Sequence, residues 1–205
     1  MAILLSGRGS NAAALIEAAS GPGFPAAIAL VLSNRPAAPG LAMAAARGVA
    51  TLAIDHRPFG ADRAAHEEAI IAALEANGIG IVCLAGYMRV LTPHLVGRYA
   101  GRMLNIHPSL LPAFPGLETH ARALAAGVRL HGCTVHLVTE ALDQGPILAQ
   151  AAVPVLPDDD AARLAARVLV QEHRIYPAAL RAFAAGAAGA PPAGEAALCN
   201  PACPE

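Results

Sequence analysis

The chain has 205 residues, 14 basic and 15 acidic side chains and a formal net charge of −1, and it is 56% hydrophobic but only 3% aromatic. All 14 basic residues are Arg, which excludes P-loop nucleotide hydrolysis and Schiff-base chemistry because both depend on a Lys. The near-zero charge argues against nucleic-acid binding, which relies on concentrated positive charge.

The hydrophobic content comes largely from 51 Ala residues and does not indicate a membrane protein. The densest apolar run, Ile79 to Gly86, has eight residues, whereas a membrane-spanning helix needs about 20. We find no signal-peptide pattern at the N-terminus, and the four Cys are too scattered for a disulfide framework. We therefore expect a cytoplasmic protein.

The predicted elements alternate between strands and helices along most of the chain. In order, they are the strand Ala2–Leu5, helix Ala12–Ala19, strand Ala27–Leu32, helix Gly40–Arg47, strand Ala50–Asp55, helix Asp62–Asn77, strand Ile79–Ala85, helix Pro93–Tyr99, strand Met103–His107, helix Thr119–Ala126, strands His131–Thr139 and Gln150–Val155, and helix Asp160–Tyr176. This order predicts an α/β fold whose mostly parallel sheet has helices on both faces. The last two strands lack a helix between them, so that part of the sheet can be antiparallel.

The C-terminal residues 184–205 differ in composition from the rest of the chain. They are rich in Ala, Gly and Pro and cannot bury a core. We therefore expect one domain over residues 1–183 and a flexible tail over residues 184–205.

A glycine-rich junction, Gly7-Arg8-Gly9-Ser10-Asn11-Ala12, follows the first strand. Glycines let the backbone approach a ligand, and the N–H groups of a helix N-terminus hold anions. The spacing also loosely matches a dinucleotide fingerprint, but Arg35 lies where that fingerprint expects an acidic residue. A small-molecule phosphate site, an NADP site that uses Arg35, and an ordinary turn capped by Ser10 or Asn11 all remain open at this point.

Asn105 and His107 share one face of a predicted strand, because side chains alternate along a strand. Pro108 ends this strand at its carboxyl end, where open α/β sheets bind ligands. Asp143 belongs to a turn signal, Asp143-Gln144-Gly145-Pro146, and can simply cap its own turn. A functional role requires that its carboxylate lie beside His107, where it would keep the imidazole protonated.

The segment His131-Gly-Cys-Thr-Val-His136 contains potential metal ligands. Strand alternation puts His131 and Cys133 on one face and His136 on the other, which is a poor chelate, so we expect no metal. Thr134 and His136 share a face and are expected to orient neighbouring groups by hydrogen bonds.

Several motifs together resemble the phosphoribosylglycinamide formyltransferase family. They occur in the order Ser6-Gly-Arg-Gly-Ser-Asn11, Gly86-Tyr-Met-Arg-Val-Leu91, Asn105-Ile-His-Pro-Ser-Leu-Leu-Pro112 and His131-Gly-Cys-Thr-Val-His136 with Leu142-Asp-Gln-Gly-Pro146. The resemblance covers residues 2 to 183, and its most specific parts are Ser6–Asn11 and Pro112–His120. Methionyl-tRNA formyltransferases and formyltetrahydrofolate deformylases carry additional domains and fit less well.

The resemblance implies a Rossmann-like formyltransferase fold and a specific reaction. The amine of 5′-phosphoribosylglycinamide attacks the formyl group of 10-formyltetrahydrofolate, which yields formylated product and tetrahydrofolate in de novo purine biosynthesis. It implies that Asn105 and His107 donate hydrogen bonds to the oxyanion and that Asp143 keeps His107 protonated. Neither a metal nor a covalent nucleophile is required.

The resemblance also implies two sets of binding residues, and Thr134 and His136 would support them. Gly9, Ser10, Asn11 and Glu172 would bind the phosphoribosyl substrate. The folate would contact Arg63, Met88, Arg89, Val90, Leu91, Asn105, Thr139, Glu140, Ala141, Leu142 and Asp143. We expect these small molecules as partners, no nucleic acid or membrane, and a monomer or homodimer. Two alternatives are an NADP-binding oxidoreductase and a non-catalytic phosphosugar-binding module.

Overall fold

A computed structural model of the chain describes residues 1–186. The strands are β1 (Ala2–Leu5), β2 (Leu30–Ser33), β3 (Thr51–Ala53), β4 (Val82–Leu84), β5 (Met103–His107), β6 (Leu130–Leu137) and β7 (Ile147–Pro154). The α-helices are α1 (Ser10–Ser20), α2 (Pro39–Ala45), α3 (Arg63–Ala76), α4 (Pro93–Arg98), α5 (Thr119–Ala125) and α6 (Ala161–Ala184). A 3-10 turn, Arg57–Phe59, precedes α3.

The strands form one sheet in the order β3-β2-β1-β4-β5-β6-β7. The pairs from β3 to β5 are parallel, and β6 and β7 are antiparallel to their neighbours. The predicted α/β fold is therefore confirmed, including the antiparallel pairing of β6 with β7, where no helix intervenes. The pairing of β5 with β6 is antiparallel as well, although α5 lies between them in the chain, and the sequence pattern did not predict this. The strand order reverses between β1 and β4, and ligands of open α/β sheets bind at such a point, beyond the carboxyl ends of the strands.

Helices cover both faces of the sheet, as predicted. Ile3 and Leu5 of β1 belong to a buried cluster that includes residues of α1, α5 and α6. Ala2 and Leu4 point the other way, into a second cluster with residues of α3 and α4. All four side chains are fully buried, because a strand covered on both faces has no solvent side.

Helix α6 extends further than the pattern predicts. The predicted helix ends at Tyr176, the residue before Pro177. A proline removes one helical hydrogen bond, but the helix continues through Pro177 to Ala184. Continuation buries Ala179 and Leu180, which offsets that loss. The helix thus ends one residue inside the predicted tail, whose residues 187–205 lie outside the described part of the chain. No helix within residues 1–186 has the length and apolar character to cross a membrane.

Tyr176 ties α6 to the centre of the sheet. Its fully buried hydroxyl lies 3.1 Å from the carbonyl oxygen of Leu84 in β4 and 3.2 Å from that of Leu104 in β5. We expect Tyr176→Phe to lower the free energy of unfolding by about 1–2 kcal/mol, because it removes this donor and leaves the ring in place. Urea denaturation measures the change, and an unaltered unfolding midpoint would contradict the assignment.

Candidate active site

The predicted acid–base residues meet at the carboxyl end of β5. In the register of β5 and β6, Asn105 lies opposite His136, and His107 lies opposite Thr134. Opposed residues of neighbouring strands point to the same face, so these four side chains lie side by side. The loop after β6 places Asp143 against them, with its Oδ2 3.4 Å from Nδ1 of His107.

The carboxylate of Asp143 is buried and directed by its loop. The Asp143 side chain is 7% exposed; its Oδ2 accepts a 2.8 Å hydrogen bond from the amide of Gly116, and its Oδ1 lies 3.7 Å from Nε2 of His136. The backbone φ of 54° is left-handed, which Asp tolerates better than most residues. Gly145 closes the loop where a Cβ would lie 1.7 Å from the carbonyl oxygen of Leu137. The carboxylate therefore contacts His107 and its neighbours and does not cap its own turn.

Both ring nitrogens of His107 face oxygen atoms. Its Nε2 lies 3.0 Å from the carbonyl oxygen of Phe114, which can only accept, so Nε2 carries a proton. Its Nδ1 faces the Asp143 carboxylate at 3.4 Å. A carboxylate can also only accept, so an N–H at Nδ1 would suit this partner as well. At 3.4 Å the contact is longer than an ordinary N–H···O bond, so Asp143 does not saturate this nitrogen.

His136 serves as a neutral support for Asn105. Its burial lowers its pKa, which favours the uncharged ring. Its Nδ1 donates to the carbonyl oxygen of Leu137 at 2.8 Å, so its Nε2 accepts from Nδ2 of Asn105 at 3.1 Å. These bonds fix the Asn105 amide and leave its second N–H available to a ligand.

A cavity of about 250 Å³ opens at the carboxyl ends of β1, β2 and β4. Its lining consists of Ser6, Gly7, Arg8, Gly9, Ser10, Asn11, Arg35, Ala85, Gly86 and Met88. The charged side chains in this lining are the cations Arg8 and Arg35, which suit an anionic ligand. Gly9 has a left-handed φ of 77°, and a Cβ there would lie 3.1 Å from Cα of Gly40. A side chain at this position would therefore be strained and would crowd helix α2, so the junction favours Gly.

Asn11 of α1 and Glu172 of α6 form a hydrogen-bonded polar pair where these two helices meet. Nδ2 of Asn11 donates to Oε2 of Glu172 at 2.6 Å. Burial raises the pKa of Glu172, whose residue is 7% exposed. Oδ1 of Asn11 is buried without a hydrogen-bond partner within residues 1–186, so it is free to accept from a ligand. The structure thus brings the predicted substrate residues Gly9, Ser10, Asn11 and Glu172 together.

The predicted folate residues lie on two loops that expose apolar side chains. Met88 and Val90 are 62% and 59% exposed, and Leu142 on the loop before Asp143 is 56% exposed. Ser6 connects the first of these loops to the glycine-rich junction, because its Oγ accepts from the amide of Met88 at 2.8 Å and donates to Oδ1 of Asn34 at 2.6 Å. The remaining predicted residues in these loops are Arg89, Leu91, Thr139, Glu140 and Ala141.

Arg63 stands apart from the other candidates. It is exposed at the first position of α3. Within the described residues, no hydrogen bond or ion pair joins its side chain to the rest of the site. Arg63 can contact the anionic tail of a folate only if that tail extends past the two apolar loops to the start of α3.

The potential metal ligands of β6 do not converge. Nε2 of His131 lies 3.2 Å from Nδ1 of His120, and Cys133 is buried separately in the core. Burial is the main reason that the pKa of His131 falls to about 4. Across residues 1–186, no group of three or more His, Cys, Asp and Glu is placed to hold a metal ion.

Sequence reasoning missed several groups that complete the site. The carbonyl of Phe114 and the amide of Gly116 are backbone groups, and residue identity gives no signal for them. Arg8 was overlooked although it lies inside the glycine-rich junction, where a cation beside an anion-binding loop is informative. Ser6 could also have been identified from the sequence, because a polar residue directly after the first strand lies at the carboxyl edge of the sheet.

Comparison with known proteins places this geometry in a family. The model of the formyl transferase family matches residues 1–180. A phosphoribosylglycinamide formyltransferase structure from Brucella melitensis is 60% identical, with a TM-score of 0.86, over 90% of this chain and 95% of that chain. The phosphoribosylglycinamide formyltransferase of Escherichia coli is 44% identical over 184 residues, which is 90% of this chain and 86% of that protein.

Longer relatives contain the same unit. The trifunctional purine biosynthetic protein adenosine-3 of Homo sapiens is 47% identical over 186 residues, or 91% of this chain. The matched region spans 18% of that protein and 14% of its counterpart in Drosophila melanogaster. The family match and the relatives agree, and the chain therefore belongs to the formyl transferase family.

Proposed function

We propose that this chain is a phosphoribosylglycinamide formyltransferase, which transfers the formyl group of 10-formyltetrahydrofolate to the amine of 5′-phosphoribosylglycinamide in purine biosynthesis. The observation that carries the proposal is the buried Asn105–His107–Asp143 cluster on the same sheet edge as a cavity with two cationic side chains. Relatives of that name at 44% and 60% identity support it over an NADP-binding oxidoreductase or a non-catalytic phosphosugar-binding module.

The reaction needs one bond formed, one broken and two protons removed from the attacking nitrogen. The substrate ammonium first loses one proton to solvent, and the resulting amine attacks the formyl carbon, so that the carbonyl oxygen becomes an oxyanion. The attacking nitrogen then loses its second proton, N10 gains a proton, and the bond from the formyl carbon to N10 breaks, so that N10 leaves as an amine. The protein must therefore donate to the oxyanion and shuttle protons between two nitrogens.

Asn105 and His107 are suited to hold the oxyanion. The second N–H of Asn105 is not used by His136. The contact between Nδ1 of His107 and Asp143 is long, at 3.4 Å, so an N–H at Nδ1 is not saturated by the carboxylate and can also donate to an oxyanion. Because both side chains are fixed by other bonds before substrate arrives, little reorganisation is needed during the reaction.

Asp143 is suited to the proton transfer. Its buried carboxylate places a negative charge 3.4 Å from Nδ1 of His107. Its Oδ2 also accepts from the amide of Gly116, which holds the carboxylate in place. We propose that this carboxylate, through a water molecule, accepts the proton that the attacking nitrogen loses once the new C–N bond has formed and passes it to N10.

The phosphoribosyl substrate fits the cavity at the glycine-rich junction. The amides at the start of α1 have no helical partners of their own and can donate to phosphate oxygens. Arg8 and Arg35 supply positive charge for the dianion. The buried carboxylate of Glu172 is suited to accept from a ribose hydroxyl.

The folate co-substrate fits the exposed apolar loops. A pteridine is flat, aromatic and edged with donors and acceptors, so it suits the apolar side chains of Met88, Val90 and Leu142 together with the backbone of residues 139–142. We propose that Arg63 and Arg89 face its anionic tail. The enzyme is proposed to act in the cytoplasm on small molecules, without nucleic acid, membrane or metal, as a monomer or homodimer.

Asn11→Ala is expected to weaken binding of one substrate and not the other. The change removes both the acceptor directed into the cavity and the donor that holds Glu172. We expect the KM for phosphoribosylglycinamide to rise about 10-fold or more, with the KM for 10-formyltetrahydrofolate within about twofold. Steady-state kinetics with each substrate varied in turn measures the effect, and equal increases in both KM values would contradict the assignment.

The proposed function is tested with purified protein and both substrates. Tetrahydrofolate should appear only when phosphoribosylglycinamide is present, and addition of NADP or NADPH should not matter. Nicotinamide-dependent turnover would indicate the oxidoreductase alternative, and binding of phosphoribosylglycinamide without turnover would indicate the binding module.

A further inference from the structure

The loop between β5 and α5, residues 108–118, holds both acid–base residues through its backbone. The carbonyl of Phe114 accepts from Nε2 of His107 at 3.0 Å. The amide of Gly116, two residues on, donates to Oδ2 of Asp143 at 2.8 Å. A displacement of this short segment therefore moves the partners of His107 and Asp143 at the same time.

Burial holds only part of this segment: the Phe114 ring packs against the core and meets His131 edge-on, with the ring centroids 6.0 Å apart, but its neighbours are largely exposed. Leu117 is 77% exposed, and Pro115 and Glu118 are exposed as well. Phe114 has a φ of 52°, which is unfavourable for a bulky side chain. Such a conformation persists only where the surroundings hold it in place. The segment consequently needs external contacts.

Arg122, on the following helix α5, provides those contacts. Its Nη1 donates to the carbonyl oxygens of Pro115 and Leu117, the residues on either side of Gly116. Its guanidinium carbon lies 5.7 Å from the centre of the Phe114 ring, within the range of a cation–π interaction. One side chain thus contacts three of the four residues from Phe114 to Leu117.

We propose that Arg122 is a positioning residue that fixes the segment Phe114–Leu117 and thereby aligns His107 with Asp143. This inference rests on the proposed function, because the reaction that Arg122 affects is the proposed formyl transfer. The planar guanidinium faces the Phe114 ring while its Nη1 donates to two carbonyls; a Lys ammonium can donate to two carbonyls but lacks the planar group that stacks on an aromatic ring. Arg122 lies outside the lining of the substrate cavity and acts through backbone groups.

The test compares Arg122→Met with Arg181→Met. Arg181 is a matched control, because it also donates to a backbone carbonyl, that of Gly23, and lies 4.8 Å over the ring of Phe24. We expect Arg122→Met to lower kcat about 10-fold, with both KM values within about twofold, because small misplacement of acid–base groups slows the chemical step more than binding. Hydrogen exchange of the Gly116 amide should quicken about 10-fold as its bond to Asp143 loosens. Arg181→Met should change neither quantity.

Arg122→Lys supplies a second variant that retains the charge. We expect its kcat and its Gly116 exchange rate to lie between those of the wild type and Arg122→Met. Wild-type kcat and Gly116 exchange in either Arg122 variant would overturn the proposal, as would the same loss of kcat in Arg181→Met. If the wild type itself releases no tetrahydrofolate, the proposed function fails, and Gly116 exchange still tests whether Arg122 holds the segment.

Discussion

Asp143→Asn is expected to slow turnover by on the order of 10² or more, with modest changes in either KM. The Asn amide has nearly the same shape as the carboxylate, so the bond from Gly116 survives. The change removes the charge beside Nδ1 of His107 and the acceptor for the substrate proton. Steady-state kinetics measures kcat and KM, and a rate near that of the wild type would remove Asp143 from the mechanism.

Asp159→Asn is a matched control for that experiment. Its carboxylate is also inaccessible, with 2% side-chain exposure, and it is paired with Arg167 at 2.6 Å away from the candidate site. The hydrogen bond from Arg167 is the main reason that the pKa of Asp159 falls to about 2. We expect Asp159→Asn to reduce stability and leave kcat unchanged. The comparison therefore separates the effect of losing any buried carboxylate from the effect of losing the one that is proposed to act in the reaction.

His107→Ala is the second large effect and is also expected to reduce kcat by on the order of 10² or more. The variant loses the N–H at Nδ1 that is proposed to stabilise the oxyanion, while the substrate cavity at Asn11 keeps its lining. His94→Ala removes a surface His that pairs with Glu68 at 2.7 Å, and it should leave kcat unchanged. Equal rates for the two His variants would show that His107 is structural.

Local sequence pattern was sufficient to predict most of the strands, and it placed Asn105 and His107 of the acid–base cluster on the same strand face. Short apolar runs bounded by Gly and Pro mark the buried strands, and alternation alone places Asn105 and His107 on one face. Pattern was insufficient at Pro177, because its effect on helix α6 depends on whether Ala179 and Leu180 find a core to enter. Tertiary packing decides whether the helix continues past Pro177, and a short stretch of sequence gives no information about that packing.

The remainder of the site depends on contacts between distant parts of the chain. The approach of Asp143 to His107 requires the antiparallel pairing of β5 and β6 and a loop that turns at Gly145, and spacing does not determine either. Only the resemblance to a family predicted that Asp143 lies beside His107. The groups that hold the pair, at Phe114 and Gly116, are backbone atoms of an exposed loop, so only the structure identifies them.

We have proposed that His107 and Asp143 move a formyl group between two nitrogens without a redox step. Incubation with 10-formyltetrahydrofolate labelled with ¹³C in the formyl group tests this, with mass spectrometry of the phosphoribosyl product. We expect the label on the amine of phosphoribosylglycinamide together with an equal amount of tetrahydrofolate, and both should form on the order of 10² more slowly in Asp143→Asn. Label released as formate, or retained on the folate while phosphoribosylglycinamide is bound, would contradict it.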